Sequence, residues 1–522
     1  MKPPQKPSDL GFPEFEEFRP GQAEIIAEIV NIFQSGKRII ILEAPTGSGK
    51  SLIAMSVIAA LNQRAVITTQ TKQLASQYHD AHPTTTVIQG RENYQCALQP
   101  ELPCAIGPCI AASFECASKK SICPYYLAKQ DALKSPCAIM NIWYFMYEAN
   151  YVGGFSNRDL LVIDEGHLLE SALMSFISIE LSKRQLTLLG CELPSLQTTQ
   201  QVSMWAENVM PKLQSMLADA IYEDNPRRYR NLQTQNKRVQ SIASTDLSKW
   251  ILTKTYHGYT LKPVWVTTYG NPAIFQHASK ILIMSATIRD AKQYCKCLGI
   301  PQSSLHYMEA PSHFPKEHRP INFWPVAKIG YKSTPRDYSK LVKAIDTILE
   351  LHRGDKGILH TVSYKLLKKI VAASRHNGRI LTHDYKNREE VIRRFKESKR
   401  NPVLASPSIG IGLDLPDDES RFCIIAKVPW QDMSDEQVKK RVNDDRGWYS
   451  WNTACAMIQM SGRCIRSDTD YATTYLLDGH AGWFMQRNAR LFPIWWRESV
   501  YHVEKPSQFV LPRTVMQPKL AW

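Results

Sequence analysis

The feature that most constrains the fold is a short apolar run that ends in a loop of small residues and a Lys-Ser pair. Ile39–Leu42 has no polar alternation, which is typical of a strand buried in a parallel sheet. Backbone N–H groups of a glycine-rich loop, followed by a helix N-terminus, can surround an anion. We therefore predict a phosphate-binding loop, in which Lys50 binds the β- and γ-phosphates and Ser51 binds Mg²⁺. The loop comprises Ala44, Pro45, Thr46, Gly47, Ser48, Gly49, Lys50 and Ser51.

The length and the charge of the chain limit its possible functions. At 522 residues the chain is too long for a single hydrophobic core, and a division into about three domains is expected. The formal net charge is +15. An excess of this size fits a polyanionic partner, for which nucleic acid is the default, but it can also serve solubility alone.

No apolar run in the sequence is long enough to span a bilayer, and no apolar segment follows the N-terminal Met1–Pro4. A signal peptide or membrane anchor is therefore not expected. The sequence predicts a cytoplasmic protein without membrane contact.

Two polar side chains precede the phosphate loop by one helix. Arg19 and Gln22 flank a turn, and helical spacing follows in Ile25–Phe33. A glutamine amide both donates and accepts hydrogen bonds, so it can recognise the edge of adenine. We predict that both residues contribute to nucleotide binding; a solvated pair at a helix N-terminus is the alternative.

A second apolar run, Leu160–Ile163, leads directly into Asp164, Glu165 and, two residues later, His167. At a strand end Asp164 can hold Mg²⁺, and Glu165 can polarise the water that attacks the γ-phosphate. Acidic pairs at strand ends are common. This pair follows a phosphate loop, which favours the catalytic interpretation.

Six of the twelve cysteines fall in one window between these two motifs. Little hydrophobic periodicity lies between Gly90 and Tyr126, and a segment without its own core can be held by a metal centre. Without a secretory signal, clustered cysteines favour metal ligation over disulfides. The spacing lacks the paired C-x-x-C units of zinc ribbons, which favours an iron–sulfur cluster over structural zinc. The window contains Cys96, Cys104, Cys109, Cys116, Cys123 and Cys137.

The middle of the chain changes in character. From about 168 to 248 the pattern becomes helical, which predicts an inserted helical domain. Strand-like segments around 256–266 are expected to return to the central sheet. A further buried strand, Lys280–Met284, ends in the small residues Ser285-Ala286-Thr287.

A second strand–helix series follows a Pro- and His-rich stretch at 309–320, which we predict to be a linker. Two of its predicted strands are Gly357–Ser363 and Pro402–Ala405, and the second leads to Gly412 and Asp414.

Near the end of this series, Gln459, Arg463 and Arg466 are separated by four and three residues, so in a helix they share one face. Two cations and an amide suit a second wall for a triphosphate, where arginine stabilises the charge of the transition state. An ordinary solvated helix face is the alternative.

In order and spacing these motifs resemble those of superfamily 2 helicases. With the cysteine window and the helical insertion, the chain resembles the XPD/DinG branch of iron–sulfur DNA helicases from about Gly11 to Asp478. The resemblance implies an α/β fold of two RecA-like parallel-sheet domains, the first with an iron–sulfur insertion and a helical arch insertion. The implied division assigns 1–90, 127–168 and 251–308 to the first helicase domain, 91–126 to the cluster domain, 169–250 to the arch and 309–522 to the second helicase domain.

The resemblance also implies a function. It predicts an ATP-dependent DNA helicase or translocase that moves 5′ to 3′ on single-stranded DNA and unwinds tailed duplexes in repair, replication or recombination. The implied cofactors are ATP, Mg²⁺ and a [4Fe–4S] cluster, and the implied state is a monomer. The chain is short for the family, which suggests a small bacterial or phage-encoded version.

The implied site residues follow motif by motif. Arg19, Gln22, the loop 44–51, Gly412 and Asp414 bind nucleotide, and Ser51 and Asp164 hold Mg²⁺. His167 couples the site to the DNA side. The catalytic set is Lys50, Asp164, Glu165, Gln459, Arg463 and Arg466.

Cys96 and Cys123 carry over as cluster ligands because the neighbouring segments Asn93-Tyr94 and Pro124-Tyr125-Tyr126 match the family. For the middle pair the sequence leaves three candidates. Cys109 and Cys116 are favoured, with Cys104 as the spare.

The chain also departs from the family pattern. Ala44 stands where the general phosphate loop begins with glycine, Gly166 where better-known members have alanine, and Ser406 or Ser408 near a position that is often threonine. The nuclease domain that precedes the helicase in some relatives is not expected before Gly11.

Two other functions remain as alternatives. One is a translocase that displaces proteins or remodels RNA–DNA hybrids without processive unwinding. The other is a nucleic-acid-binding scaffold that uses nucleotide only as a switch, although a scaffold has no need of Glu165 together with Arg466.

Overall fold

The computed structural model describes residues 1–110, 116, 121–220, 226–312, 314–384, 386–407, 415, 417–462 and 470–512. Four residues predicted for the nucleotide site lie outside these ranges, namely Gly412, Asp414, Arg463 and Arg466.

The strands form three sheets, two of them parallel and one antiparallel. In chain order they are β1 (Ile39–Glu43), β2 (Ala65–Thr69), β3 (Thr86–Val87), β4 (Cys137–Asn141), β5 (Arg158–Ile163), β6 (Ile179–Ser182), β7 (Trp250–Thr255), β8 (Gly258–Pro263), β9 (Ala278–Ser285), β10 (Leu305–Glu309), β11 (Ile321–Ala327), β12 (Gly357–His360), β13 (Ile380–Thr382), β14 (Val403–Ser406), β15 (Phe422–Ile425), β16 (Thr473–Asp478) and β17 (Val500–His502).

Helices connect the strands and cover the sheets. They are α1 (Gln22–Gln34), α2 (Lys50–Leu61), α3 (Lys72–Ala81), α4 (Pro124–Lys134), α5 (Ile142–Tyr147), α6 (Leu169–Ile177), α7 (Lys183–Leu188), α8 (Thr199–Asp219), α9 (Pro226–Ser244), α10 (Gly270–Ala273), α11 (Ala291–Leu298), α12 (Pro335–Leu351), α13 (Tyr364–Ala373), α14 (Arg388–Glu397), α15 (Glu436–Asp444), α16 (Arg446–Ser461), α17 (His480–Arg487) and α18 (Ile494–Arg497).

The two large sheets define two domains. The first has the order β10-β1-β9-β5-β2-β4-β3 and the second β13-β14-β12-β15-β16-β11-β17. Every described pairing in both sheets is parallel. The predicted α/β class with two parallel-sheet domains is therefore confirmed, while the iron–sulfur insertion stays a prediction.

The central strand of the first domain shows why its sequence lacks polar alternation. All five residues of β1 are buried, because helices cover both faces of a parallel sheet. On one face, Leu52–Ile58 of α2 is buried throughout and packs with α1 against the strand. This packing fixes the position of the loop that joins β1 to α2.

The third sheet corrects one expectation. Residues 256–266 were expected in the central sheet, but β8 pairs antiparallel with β6 and β7 in a separate three-stranded sheet. The burial of β8 alternates, with Tyr259, Leu261 and Pro263 buried, which is the pattern of a strand covered on one face only. Gly258 opens the strand at φ +147°, where an added Cβ would lie 2.0 Å from the Leu181 oxygen.

The small sheet and α7–α9 form the inserted unit, with its own core between α8, α9 and the strands. Thr198 caps α8 by accepting a hydrogen bond from the Gln201 backbone N–H, and the Gln201 side chain completes a capping box. From α9, Arg230 Nη1 donates to the Ala105 oxygen at 2.7 Å. The inserted unit therefore touches the cysteine segment.

The two large domains meet along α15 and α16. Trp451 Nε1 of α16 donates to the Ile288 oxygen at 2.7 Å. The Arg441 guanidinium of α15 lies 2.7 Å from a Glu170 carboxylate oxygen. These polar contacts come from buried side chains and hold one side of the cleft between the domains. Within the described residues, no helix combines the length and the apolarity needed to cross a bilayer.

Candidate nucleotide site

At two positions the loop between β1 and α2 has a backbone conformation that favours glycine. Gly47 has φ +79° and Gly49 φ +74°, both in the left-handed region. A Cβ on Gly49 would lie 2.2 Å from Gln22 Nε2. Lys50 follows as the first residue of α2, and its Nζ donates to the Ala44 oxygen at 3.3 Å and to the Pro45 oxygen at 3.4 Å. The lysine ammonium therefore lies inside the turn of the loop.

Gln22 holds this loop from outside. Its side chain is buried, its Nε2 donates to the Ser48 oxygen at 2.9 Å and to the Gly49 oxygen at 3.3 Å, and its Oε1 accepts from the Arg19 backbone N–H at 2.7 Å. The amide thus links the turn at Arg19 to the phosphate loop. Contact of Arg19 or Gln22 with a base stays a prediction.

The acidic pair lies beside the loop at the end of β5. Asp164 is buried; its Oδ1 accepts from the Glu165 backbone N–H at 2.9 Å, and its Oδ2 accepts from the Tyr78 hydroxyl at 3.1 Å. Burial and the charge of Glu165 raise the pKa of Asp164 to about 6, against the lowering effect of Lys50. Glu165 itself has φ +52°, a left-handed conformation that costs a non-glycine residue about 1 kcal/mol or more.

A chain of polar contacts runs from Glu165 to the second domain. His167 Nδ1 lies 3.2 Å from Glu165 Oε2 and 3.0 Å from Ser285 Oγ. Ser285 Oγ accepts from the Thr287 backbone N–H at 3.2 Å. Across the cleft, Gln459 Nε2 of α16 donates to Thr287 Oγ1 at 2.6 Å. The structure therefore brings the predicted residues His167, Ser285, Thr287 and Gln459 together with the acidic pair.

A buried ion pair supports the wall of the site. Glu43, the last residue of β1, accepts from the Arg289 backbone N–H at 2.7 Å, from Arg289 Nη1 at 2.9 Å and from the Tyr307 hydroxyl at 2.7 Å. Burial raises the pKa of Glu43, and the charge of Arg289 and the Tyr307 hydrogen bond oppose that rise. Arg289 also contacts Glu309 at 2.8 Å and donates through Nε to the Leu491 oxygen at 3.2 Å. One guanidinium therefore joins the strand before the phosphate loop to the second domain.

An open cavity lies between the two domains. Thr46 of the phosphate loop, Glu165 and Thr287 line it from the first domain, and Gln459 and Gly462 line it from the second. The cavity therefore touches the predicted hydrolytic residues of both domains.

The cysteine segment lies beside the first domain, with Cys96, Cys104 and Cys123 buried. The Cys104 and Cys123 sulfurs are 3.9 Å apart. Burial, followed by the nearby thiol of Cys116, raises the pKa of Cys109, and Cys123 and Cys96 add to that rise. Within the described ranges, however, no three His, Cys, Asp or Glu side chains are grouped closely enough to hold a metal ion.

Sequence reasoning missed several residues of the site. Tyr78 comes from the buried face of α3, and Arg289 and Tyr307 come from segments after the Ser285-Ala286-Thr287 motif. Their spacing in the chain carries no signal, because the site residues that they contact, Asp164 and Glu43, are more than 80 residues away. Only the left-handed φ of +60° at Arg289 marks it as unusual, and that is visible only in the structure.

Two family models match separate parts of the chain. The model described as the helicase C-terminal domain matches residues 345–499. The model described as the res subunit of type III restriction enzymes matches residues 15–190. The segment 15–190 contains the phosphate loop and the acidic pair, and the segment 345–499 contains Gln459.

Two curated relatives align with most of the chain. A probable ATP-dependent helicase of Methanocaldococcus jannaschii, MJ0942, is 21% identical, and the alignment covers 89% of this chain and 92% of the relative. The ATP-dependent DNA helicase YoaA of Escherichia coli K12 is 19% identical, with 83% of this chain and 85% of the relative covered.

Solved structures give the same fold. An XPD helicase superposes with a TM-score of 0.69 at 14% identity, covering 94% of this chain and 100% of that chain. The S. tokodaii protein Xpd4 gives a TM-score of 0.61 at 15% identity, with 93% and 100% covered. This chain therefore has the XPD-like helicase fold, and the predicted resemblance is confirmed.

The ion pair of Glu43 and Arg289 leads to a prediction about stability. Replacing Glu43 by Gln leaves the Arg289 guanidinium, whose side chain is 7% exposed, without its buried partner. We expect E43Q to lower the free energy of unfolding of the first domain by about 3–5 kcal/mol. The matched control is E309Q, because Glu309 pairs with the same guanidinium but is 43% exposed, and there the loss is expected to stay within about 1 kcal/mol. Urea unfolding of both variants measures the difference, and equal losses would contradict the buried pair as the stabilising partner.

Proposed function

We propose that this chain, which has the XPD-like helicase fold, is an ATP-dependent DNA helicase that hydrolyses ATP in the cleft between its two parallel-sheet domains. The observation that carries the proposal is the hydrogen bond across that cleft, from Gln459 Nε2 to Thr287 Oγ1 at 2.6 Å, beside the phosphate loop and the acidic pair. The two helicase relatives that cover most of the chain support it.

The finer parts of the proposal concern movement and setting. We propose movement 5′ to 3′ along single-stranded DNA, with unwinding of tailed duplexes, by a monomer in the cytoplasm. The net charge of +15 supports binding to a nucleic-acid strand, because lysine and arginine contacts to phosphates dominate non-specific affinity for nucleic acid.

In this proposal the first domain holds the phosphates. The Lys50 ammonium, which lies inside the loop, neutralises the β- and γ-phosphates. The backbone N–H groups at the start of α2 add hydrogen bonds, and the helix dipole favours the anion. Glu165 orients and polarises the attacking water, since its carboxylate lines the same cavity as Thr46 of the loop.

The residues next to the loop fit a magnesium ion. Ser51 and Asp164 offer oxygen donors, and Mg²⁺ in such sites is bound by one or two protein groups together with phosphate oxygens and water. When bound, the ion would be held by Ser51 and Asp164 and would supply positive charge that offsets the charge of the phosphates. Tyr78 contributes by fixing the Asp164 carboxylate through its hydroxyl.

The polar chain from Glu165 to Gln459 offers a route from hydrolysis to movement. A series of polar contacts links the acidic pair to the second domain. It starts with the contact of Glu165 and His167 and continues through hydrogen bonds of Ser285, Thr287 and Gln459. A change at Glu165 when the γ-phosphate leaves can therefore alter the hydrogen bond between the domains. Opening and closing of the cleft would then shift the DNA-binding contacts of the two domains along the single-stranded DNA.

We also propose that the cysteine segment holds a [4Fe–4S] cluster through Cys96, Cys109, Cys116 and Cys123, with Cys104 as the spare. The thiols suit the cluster in type. Burial first, and then the thiols of Cys116, Cys123 and Cys96, raise the pKa of Cys109. The contact of Cys104 with Cys123 makes Cys104 the rival ligand.

The test of the main proposal is unwinding of 5′- and 3′-tailed duplexes by anaerobically purified protein, with ATP hydrolysis measured in the same reactions. We expect unwinding of the 5′-tailed duplex, hydrolysis that rises with single-stranded DNA, and loss of both in K50A. The matched control is K37A, which removes an exposed lysine that precedes β1; its side chain donates to the Ser303 oxygen.

The other outcomes are also informative. Normal hydrolysis by K50A would refute the assignment of the phosphate loop. DNA-stimulated hydrolysis that displaces a bound protein from single-stranded DNA, without strand separation on either duplex, would replace the helicase by a translocase.

A second prediction concerns Tyr78. Tyr78→Phe removes the hydroxyl that holds Asp164 Oδ2, so the carboxylate is less well oriented toward Mg²⁺. We expect the Mg²⁺ concentration for half-maximal ATP hydrolysis to rise by about tenfold. Tyr475→Phe, which removes a buried hydroxyl from the second domain beside His352, is the control and should leave the Mg²⁺ dependence unchanged. An unchanged Mg²⁺ dependence in both variants would remove Tyr78 from the site.

A third prediction separates the cysteines. We expect C109A and C116A, purified anaerobically, to lose bound iron and the visible absorbance of iron–thiolate bonds, while C104A keeps both. C191A, which removes a buried thiol of the inserted unit, controls for general destabilisation. Loss of iron in C104A with retention in C109A would make Cys104 the ligand, and zinc in place of iron in the unaltered protein would exclude the cluster.

A further inference from the structure

A cationic side chain that the proposed mechanism does not use lies in the wall of the cleft. Arg319 belongs to the segment that connects the domains and stands two residues before β11 begins at Ile321. It lines the same cavity as Thr46, Glu165 and Gln459. The hydrolytic side of the site therefore already faces a guanidinium within the described residues.

The surroundings of Arg319 fix the plane of its guanidinium but leave its Nε without a hydrogen-bond partner among the described residues. Nη1 donates to Ser312 Oγ at 2.7 Å. The guanidinium carbon lies 4.7 Å from the centre of the Trp495 ring, which is stacking distance for a cation on an indole. Its Nε is buried and has no hydrogen-bond partner among the described residues. Two contacts thus orient the group, and neither neutralises its charge.

No carboxylate compensates this cation at contact distance. Among the described residues, none forms an ion pair with Arg319 within 4.0 Å, and Glu498 and Glu317 act on it only at longer range. Burial lowers the pKa of Arg319 to about 10, which those two carboxylates only partly offset. A half-buried cation with an orphaned donor is costly unless an anion binds it.

The position in the cavity indicates which anion fits. Arg319 shares its cavity with Glu165 and with Thr46, at the side where hydrolysis is proposed, whereas Gln22 contacts the loop at Ser48 and Gly49. Guanidinium groups bind phosphate oxygens with paired hydrogen bonds, so the charge of Arg319 in this cavity suits a phosphate.

We infer that Arg319 binds the terminal phosphate of the nucleotide and so distinguishes a triphosphate from a diphosphate at the connector between the domains. The inference rests on the proposed function, because it assumes that the cleft takes ATP. It adds to the predicted set a residue that lies outside the helicase motifs of this sequence.

The test compares two ligands in the full chain. Affinities for ADP and for a non-hydrolysable ATP analogue are measured with Mg²⁺ for the unaltered protein and for R319Q. We expect R319Q to bind the ATP analogue about tenfold more weakly and ADP with less than a twofold change, because ADP lacks the phosphate that Arg319 contacts. R336Q, which removes an exposed arginine from the first turn of α12, is the matched control and should change neither affinity.

A second variant distinguishes loss of phosphate binding from a general structural effect of replacing Arg319. R319K keeps the charge but loses the planar fork, so we expect it to weaken the ATP analogue by about threefold and to leave ADP unchanged. Equal weakening of both ligands in R319Q and R319K, or no weakening of the ATP analogue in either, would overturn the inference. If the unaltered protein binds neither nucleotide, the proposed function fails instead, so the two failures are distinguishable.

Discussion

The site depends on the order in which parallel strands lie side by side. In the first sheet β9 lies between β1 and β5, with Glu43 opposite Ser285 and Ile163 opposite Ile283. Because all three strands run in the same direction, their carboxyl ends reach the same edge of the sheet. The phosphate loop, the acidic pair and the Ser285-Ala286-Thr287 segment therefore meet, although long insertions separate them in the chain.

A single buried guanidinium connects this edge of the first sheet to the second domain. Arg289 follows the third of those segments, bonds to Glu43 at the end of β1 and reaches the Leu491 oxygen of the second domain. A buried pair of this kind adds little net stability, but loss of one partner leaves a charge unpaired. The ion pair therefore acts mainly on position. It holds β1 and the phosphate loop against the segment after β9 and against the second domain.

Much of this fold could be predicted from the sequence, for a physical reason. Strands buried on both faces have continuous apolar sequences, so Ile39–Leu42 and Leu160–Ile163 were recognisable, and the polar residues directly after them mark the sheet edge. The strand at 258–263 was assigned to the wrong sheet because its register partners are set by tertiary packing, although its alternating burial is that of an antiparallel strand.

The parts that sequence reasoning missed are contacts between distant segments. Tyr78 is one apolar-face residue of an ordinary helix until β5 places Asp164 against it. Gln22 was expected at a base, but the structure also shows its amide bonded to the carbonyls of the phosphate loop. Arg319 lies in a stretch that composition marks only as a linker.

Two polar side chains in the cleft, Gln459 and Arg319, differ in what they can detect. Gln459 bonds to Thr287, a protein group that is present in every nucleotide state, so this bond alone cannot tell ATP from ADP. A ligand shifts a conformational equilibrium only by its difference in affinity for the two states. A cation such as Arg319, which is held by Ser312 and Trp495 and contacts a ligand atom present only in the triphosphate, supplies that difference. Because it stands at the start of the second domain, the connector itself then favours the closed cleft until the terminal phosphate leaves.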